Sequence, residues 1–197
     1  RRAAVAWVLR GDWYVPGGFN PAINLPVWPA VMVPFFKLLG VGLWTARLVE
    51  ALFSVAVVGL TYLLLARVES RRAGVLAAFL LACSFFFFGF SRLALLEIPM
   101  LAFLLASLLA AFEACRRRSA ALAALSGLAF GIAVLTKTTA VIGGPLLLFI
   151  AFLHRGEDVP FVRLSGAFVL PVVAVGALYG GLVVWPHWEE FLRFNRT

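Results

Sequence analysis

Side chains able to do chemistry are scarce in this chain, and most stand at the ends of apolar runs. Glu97 ends the polar stretch Ser91-Arg92-Leu-Ala-Leu-Leu-Glu97, between apolar runs at 73–90 and 98–114. Ile98-Pro99 follow it. A proline in a first helical turn loses no hydrogen bond, so this is a helix start, where the positive end of the helix dipole favours an ionised carboxylate. Two roles are open to Glu97: a helix-start acid paired with Arg92, or an active-site carboxylate held at a membrane face. Lys137 is the only charge in Leu135-Thr-Lys-Thr-Thr-Ala140, between two further apolar runs. It either snorkels to headgroups or binds a lipid phosphate or pyrophosphate, a task suited to a compact ammonium with three donors. Arg47 and Glu50, three residues apart on one helix face, can pair. Their place inside an apolar run is otherwise a functional hint. His187, with Glu189 and Glu190, is a candidate for a divalent ion, against the plainer reading of a solvated loop. His154 falls at the other membrane face and cannot join it.

Composition fixes the setting. Of 197 residues, 63% are hydrophobic and 13% charged, against about 45–50% and about 25% in a soluble domain. Mean hydropathy is +1.02. The expected fold is therefore all-α, a polytopic helical membrane protein. The net charge of +8 does not point to nucleic acid, because the basic residues cluster in short connections while the aromatics lie inside apolar runs. Cys83 and Cys115 fall at different depths and form neither a disulfide nor a CxxC metal site. There is no phosphate-cradling glycine loop, no HExxH, and no Ser/His/Asp set on one face.

The elements that must position these residues follow from the apolar runs. Six spans are expected, at about 41–67, 73–90, 98–114, 120–136, 140–154 and 164–185. Arg67, Arg71 and Arg72, then Arg116–Arg118, then Arg155 and Arg163 mark three connections as cytoplasmic. Glu97, Lys137, His187, Glu189 and Glu190 then share the external side. Residues 1–40 make an external segment of short surface-lying helices: Ala3 to Leu9 is helical, five prolines between 16 and 34 prevent one continuous helix, and Trp13, Tyr14 and Trp28 anchor at the headgroups. Residues 186–197 begin another external loop. Phe85–Phe88 is membrane core or an aromatic wall for a lipid chain, and Gly127, Gly131, Gly143 and Gly144 suit close helix packing. With no initiator Met and no capped end, the sequence reads as an excerpt.

Gly11-Asp-Trp-Tyr-Val-Pro16, Asn24-Leu-Pro26, Phe36-Lys-Leu-Leu-Gly-Val41, Ala46-Arg-Leu48, Ser91-Arg92, Leu96-Glu97-Ile-Pro99 and Leu135-Thr-Lys137 occur in one order. Together they resemble the polyprenyl-phosphate-sugar glycosyltransferases of the GT-C type, similar to protein O-mannosyltransferases and the lipid A aminoarabinose transferase. The resemblance runs over nearly the whole chain. It implies a larger GT-C fold in a prokaryotic inner membrane, with the active site facing outward. The implied partners are a polyprenyl-phosphate sugar donor, a lipid, glycan or protein acceptor, and membrane lipids. By the same resemblance Glu97 takes the place of the family's second external acid, usually Asp, and Lys137 that of the lysine near the donor phosphate. Arg92 is a further donor-phosphate candidate. Asn24 takes a substrate-side position that is an acidic metal ligand in the aminoarabinose transferase. The family's first catalytic Asp aligns ahead of Arg1, so Asp12 is not its equivalent. Metal dependence stays open, with a divalent ion as one cofactor candidate.

In the implied mechanism a cation stabilises charge developing on the leaving lipid phosphate, while a carboxylate takes or orders the acceptor proton. Two other classes compete. A secondary transporter would line its path with Arg47 and Glu50, but no pair of broken helices stands at midplane. A non-catalytic membrane scaffold would not need Glu97 and Lys137 on one face.

Overall fold

The computed structural model describes residues 2–11, 23–91, 93, 95–153 and 161–195, all helix, turn or connection with no strand among them. A short helix α1 (Arg2–Arg10) packs on α2 (Val27–Leu39). Pro29 falls in the first turn of α2, where a missing N–H is harmless, and Pro34 is accommodated inside it. Gly40 follows with φ 83, a backbone region that favours glycine, and its carbonyl accepts from Thr45 Oγ1 at 2.9 Å. That joint turns the chain into α3 (Leu43–Val68), the longest α-helix at 26 residues.

The expected span at 73–90 is divided. Helix α4 (Arg71–Ala82) stops at Cys83, and Ser84 caps a new short helix α5 (Phe85–Phe90), its Oγ accepting from the Phe87 N–H at 3.4 Å. Serine competes for backbone donors and so favours caps over helix interiors, which explains a break inside a run that hydropathy alone joins. Phe85 and Phe86 are 82% and 76% exposed, facing outward from this chain.

Helix α6 (Glu97–Arg117) and α7 (Ala120–Thr136) form a tight antiparallel hairpin. Arg118 turns the corner in the left-handed region (φ 52), and Ser119 caps α7 through the Leu122 N–H. A 3₁₀ segment, Thr138–Gly143, leads into α8 (Gly144–Leu153), in place of one helix from residue 140. Helix α9 (Phe161–Tyr179) carries Pro171 without breaking and runs on through wider and tighter turns to α10 (Trp188–Asn195).

The helices lie side by side in the order α4, α3, α6, α7, α9, with α8 also against α6. Close approaches are licensed by glycine. A Cβ on Gly127 would collide with the Phe168 carbonyl oxygen, and one on Gly131 would lie 3.2 Å from the Val175 side chain. These two, one turn apart on α7, seat α9. In lipid, where apolar contact with a neighbour gains little over contact with acyl chains, such small-residue faces let helices pack. Gly74 does the same between α4 and Tyr62 of α3.

Three helical stretches are long and apolar enough to cross a membrane: Leu43–Val68, Glu97–Arg117 and Val162–His187. Val27–Leu39, Ala120–Thr136 and Thr138–Ile150 are shorter apolar helices. The protein is an all-α membrane protein. Half of the apolar window of α6 is buried, against 17% for α3 and 6% for the last, so α6 is the centre of the bundle. Trp28 departs from expectation. It is buried at 3% exposure, edge-on to Phe53 with ring centres 6.0 Å apart, and Phe53 in turn meets Phe103 of α6 at 5.6 Å. The edge-on stack places the large Trp28 ring in the core rather than at the headgroups. Trp13 and Tyr14 lie outside the described residues.

Candidate functional site

The α6–α7 hairpin decides which polar groups meet. Midway along it, Ser107 and Ser126 clasp each other: Ser107 Oγ donates to the Ser126 carbonyl at 2.9 Å, and Ser126 Oγ donates to the Ser107 carbonyl at 2.8 Å. Both serines are fully buried. The clasp sets Ser107 opposite Ser126. Ten residues back from Ser107 is Glu97, and eleven on from Ser126 is Lys137. Antiparallel helices rising about 1.5 Å per residue carry those positions to the same height. There Lys137 Nζ donates to Glu97 Oε1 in an ion pair.

Each partner is held by local structure. Glu97 is the first residue of α6, and no side chain caps that terminus at Leu96, so the carboxylate itself is the anion beside the helix's free N–H groups. Lys137 stands just past α7, where its N–H bonds the Ala133 carbonyl and its own carbonyl accepts from Ala140. Thr136 is buried and turned back to Ile132, whereas Thr138 and Thr139 are exposed beside the lysine. The pair is only partly covered, with side-chain exposures of 35% for Glu97 and 29% for Lys137. The lysine side chain is thus partly open to its surroundings, as are the two threonines that follow it.

The other predicted residues distribute as follows. Asn24 lies in the turn ahead of α2, and its Oδ1 is buried without a hydrogen-bond partner among the described residues. The neighbouring Ile23 carbonyl accepts from Tyr179 Oη at 2.7 Å, which ties this turn to α9. Arg92, and with it the expected Arg92–Glu97 pairing, lies outside the described residues. Arg47 and Glu50 face different surroundings: Arg47 is exposed, while Glu50 is wholly buried on the side of α3 that also holds Val49 and Val57. Among the described residues no three His, Cys, Asp or Glu side chains gather as a metal site. His187 instead bonds through Nδ1 to the Val183 carbonyl at 3.0 Å, and the Glu190 side chain is outside the described set.

One group was not anticipated. Glu113, in the last turns of α6, accepts from Arg67 Nη1 at 2.5 Å and Arg117 Nε at 2.7 Å, with Arg116 at 3.6 Å. Glu113-x-x-Arg116-Arg117 is a helical i, i+3, i+4 pattern and was open to detection. The link to Arg67 crosses between helices and was not. An apolar cleft of about 100 Å³ lined by Ala111, Ala114, Leu147, Leu164 and Phe168 belongs to this same end. It is remote from Glu97 and Lys137.

With this geometry in place, comparison with known proteins is informative. The sequence model of the family described as dolichyl-phosphate-mannose-protein mannosyltransferase matches residues 21–179. The chain belongs to this family. The match spans every helix from α2 to α9, including both partners of the Glu97–Lys137 pair. No curated protein and no solved structure matches the chain. Family and fold together describe an integral membrane protein of a glycosyltransferase family.

Proposed function

We propose that this chain carries part of the active site of a membrane glycosyltransferase that moves a sugar from a polyprenyl-phosphate donor to an acceptor on the non-cytoplasmic face. The observation that supports it is the meeting of Glu97 and Lys137, forty residues apart in sequence, at a half-open end of the α6–α7 hairpin. In transfer, the bond between the anomeric carbon and the phosphate oxygen breaks, and its electron pair leaves with the lipid phosphate. A further negative charge develops there, and a cation already in place stabilises it. Lys137 is that cation, and in the absence of donor Glu97 balances it. When the phosphate takes the ammonium, Glu97 is released to order the acceptor hydroxyl or help take its proton. Arg92 is a second candidate for the phosphate. Asn24 offers a buried acceptor for a substrate hydroxyl. The donor tail enters from the bilayer along the apolar helices.

Donor affinity in nanodiscs tests the phosphate assignment on the full-length protein. Lys137→Met keeps an apolar stem but removes the charge, and is expected to weaken binding by about 2–5 kcal/mol. Lys137→Arg restores charge with a wider fork and should recover only part. Equal affinity for all three proteins would remove Lys137 from the donor site. The facing direction is tested separately by labelling single cysteines from outside, after Cys83 and Cys115 are replaced. A cysteine at Leu95 should react and one at Arg116 should not; the reverse would place the pair on the wrong side for this donor and acceptor.

A further inference from the structure

The end of the bundle opposite Glu97 and Lys137 holds a second polar site with a different shape. A cleft of about 580 Å³ opens between the C-terminal turns of α3 and α6 and the start of α4, with Tyr62, Arg67, Arg71, Arg116 and Arg117 on its walls. A narrower groove of about 200 Å³ adjoins it, sharing Leu63, Arg67 and Arg117 and continuing between Leu109 and Leu122. The first is polar and basic, and the second runs between Leu63, Leu109 and Leu122, with Arg67, Arg117 and Glu113 at its polar side.

Among the described residues the cleft carries more positive than negative charge. Among the described residues Glu113 is the carboxylate ion-paired with these guanidiniums, engaging Arg67, Arg117 and, more distantly, Arg116. Arg71 makes no ion pair among the described residues, and Glu69 lies exposed on the connection before it. Among the described residues that line it or pair with it, four arginines against Glu113 leave three positive charges around one cavity. Their side chains are not sealed: Arg67 is 42%, Arg116 51% and Arg117 59% exposed. Each guanidinium has five N–H donors in a fork that matches phosphate oxygens, and Glu113 uses only a few of them. Because α3 and α6 are both of spanning length, their last turns fall at the membrane interface. A basic pocket between helices at that depth, opening into an apolar groove, has the two-part chemistry of a lipid.

We propose that this cleft binds the phosphate headgroup of an anionic phospholipid, with one acyl chain running in the groove between Leu63, Leu109 and Leu122. The site is separate from the donor site. Glu113 holds Arg67 and Arg117 in place, and Arg71 and Arg116 supply the donors that face the lipid.

The test uses full-length protein, stripped of lipid in detergent and titrated with phosphatidylglycerol or phosphatidylcholine, with bound lipid read by native mass spectrometry. Wild type should prefer phosphatidylglycerol, and Arg71→Gln with Arg116→Gln should reduce that preference roughly thirtyfold, two interfacial charges having been removed. Arg71→Lys with Arg116→Lys, which keeps the charge, should retain most of it. Because Arg71 is an exposed helix-start residue, Arg71→Gln alone gives a milder reading in a protein that folds normally. Phosphatidylglycerol preference unchanged in the Gln variants would overturn the proposal. So would displacement of the lipid by millimolar inorganic phosphate, because the cleft would then be a site for free anions and the groove would contribute nothing.

Discussion

Glu97 and Glu113 stand sixteen residues apart on α6, about 24 Å along its axis, and the two ends surround them differently. Among the described residues Glu97 has one ion-pair partner, Lys137, and both side chains keep about a third of their surface open. Glu113 has three arginines, and its own side chain is 9% exposed. A carboxylate with three cationic partners is over-satisfied, and losing any one contact leaves it paired. A single pair at an open helix end can exchange its partner at little cost, since exposed pairs are worth only about 0–1 kcal/mol. The first arrangement resists change and joins α3 to α6. The second is suited to being broken by a ligand and re-formed. That contrast, more than the presence of charge, separates a structural ion cluster from a candidate site.

The sharpest way to break the comparison is to reverse the polarity of the exchangeable pair. Glu97→Lys combined with Lys137→Glu rebuilds an ion pair across the same hairpin. If the pair serves only to close that end, the double variant should fold and work like wild type. The expected outcome is a folded protein whose sugar transfer is down by about two to three orders of magnitude, the usual cost of removing a group that stabilises developing charge. The readout is turnover of the full-length enzyme beside its thermal midpoint. Near-normal turnover would return Glu97 to the role of helix-start acid.

Glu113→Gln should do the opposite. It leaves Arg67, Arg116 and Arg117 crowded without a counter-charge, and should lower stability by about 2 kcal/mol, less than a fully buried pair would cost because the arginines reach solvent. Turnover per folded molecule should hold. A loss of turnover with an unchanged thermal midpoint would mean that the two ends are not separate in kind.

Much of this was legible in sequence because in lipid the hydropathy pattern and the fold follow one rule, burial of the backbone in apolar helices. The run from Ala120 to Thr136 gave both ends of α7, and the basic cluster Arg116–Arg118 marked a real and very short connection. That connection also held an unused signal. A two-residue turn between long helices fixes their register, and register alone sends Glu97 toward Lys137. Hydropathy could not show where polar side chains act on the backbone, so the Ser84 cap inside 73–90 was missed. Nor could it show the interior positions: Trp28 had the composition of an interface anchor, and only the neighbouring Phe53 and Phe103 make it core. Arg47 and Glu50 share a spacing, but burial differs within one turn of α3, and spacing carries no information about what packs alongside.

The smallest expected effect tests whether the two ends are coupled through the helix between them. The Ser107–Ser126 clasp lies between Glu97 and Glu113 and joins α6 to α7 midway along the hairpin. Alanine fits the same space, and the carbonyls that lose a serine donor still accept their own helical hydrogen bonds, so no buried acceptor is orphaned. Interhelical hydrogen bonds of this kind in membranes average only about 0.6 kcal/mol. Ser107→Ala should cost about that much, and Ser107→Ala with Ser126→Ala about twice as much, measured as thermal or denaturant stability in detergent. Gly127 and Gly131 still hold α7 against α9, and Arg118 still closes the turn, so the register should survive. Donor affinity at Lys137 should then change by less than about twofold, a fraction of 1 kcal/mol. A larger loss of affinity would mean that the clasp sets the height at which Lys137 meets its ligand. The exchangeable pair would then depend on the hairpin's interior rather than on its open end.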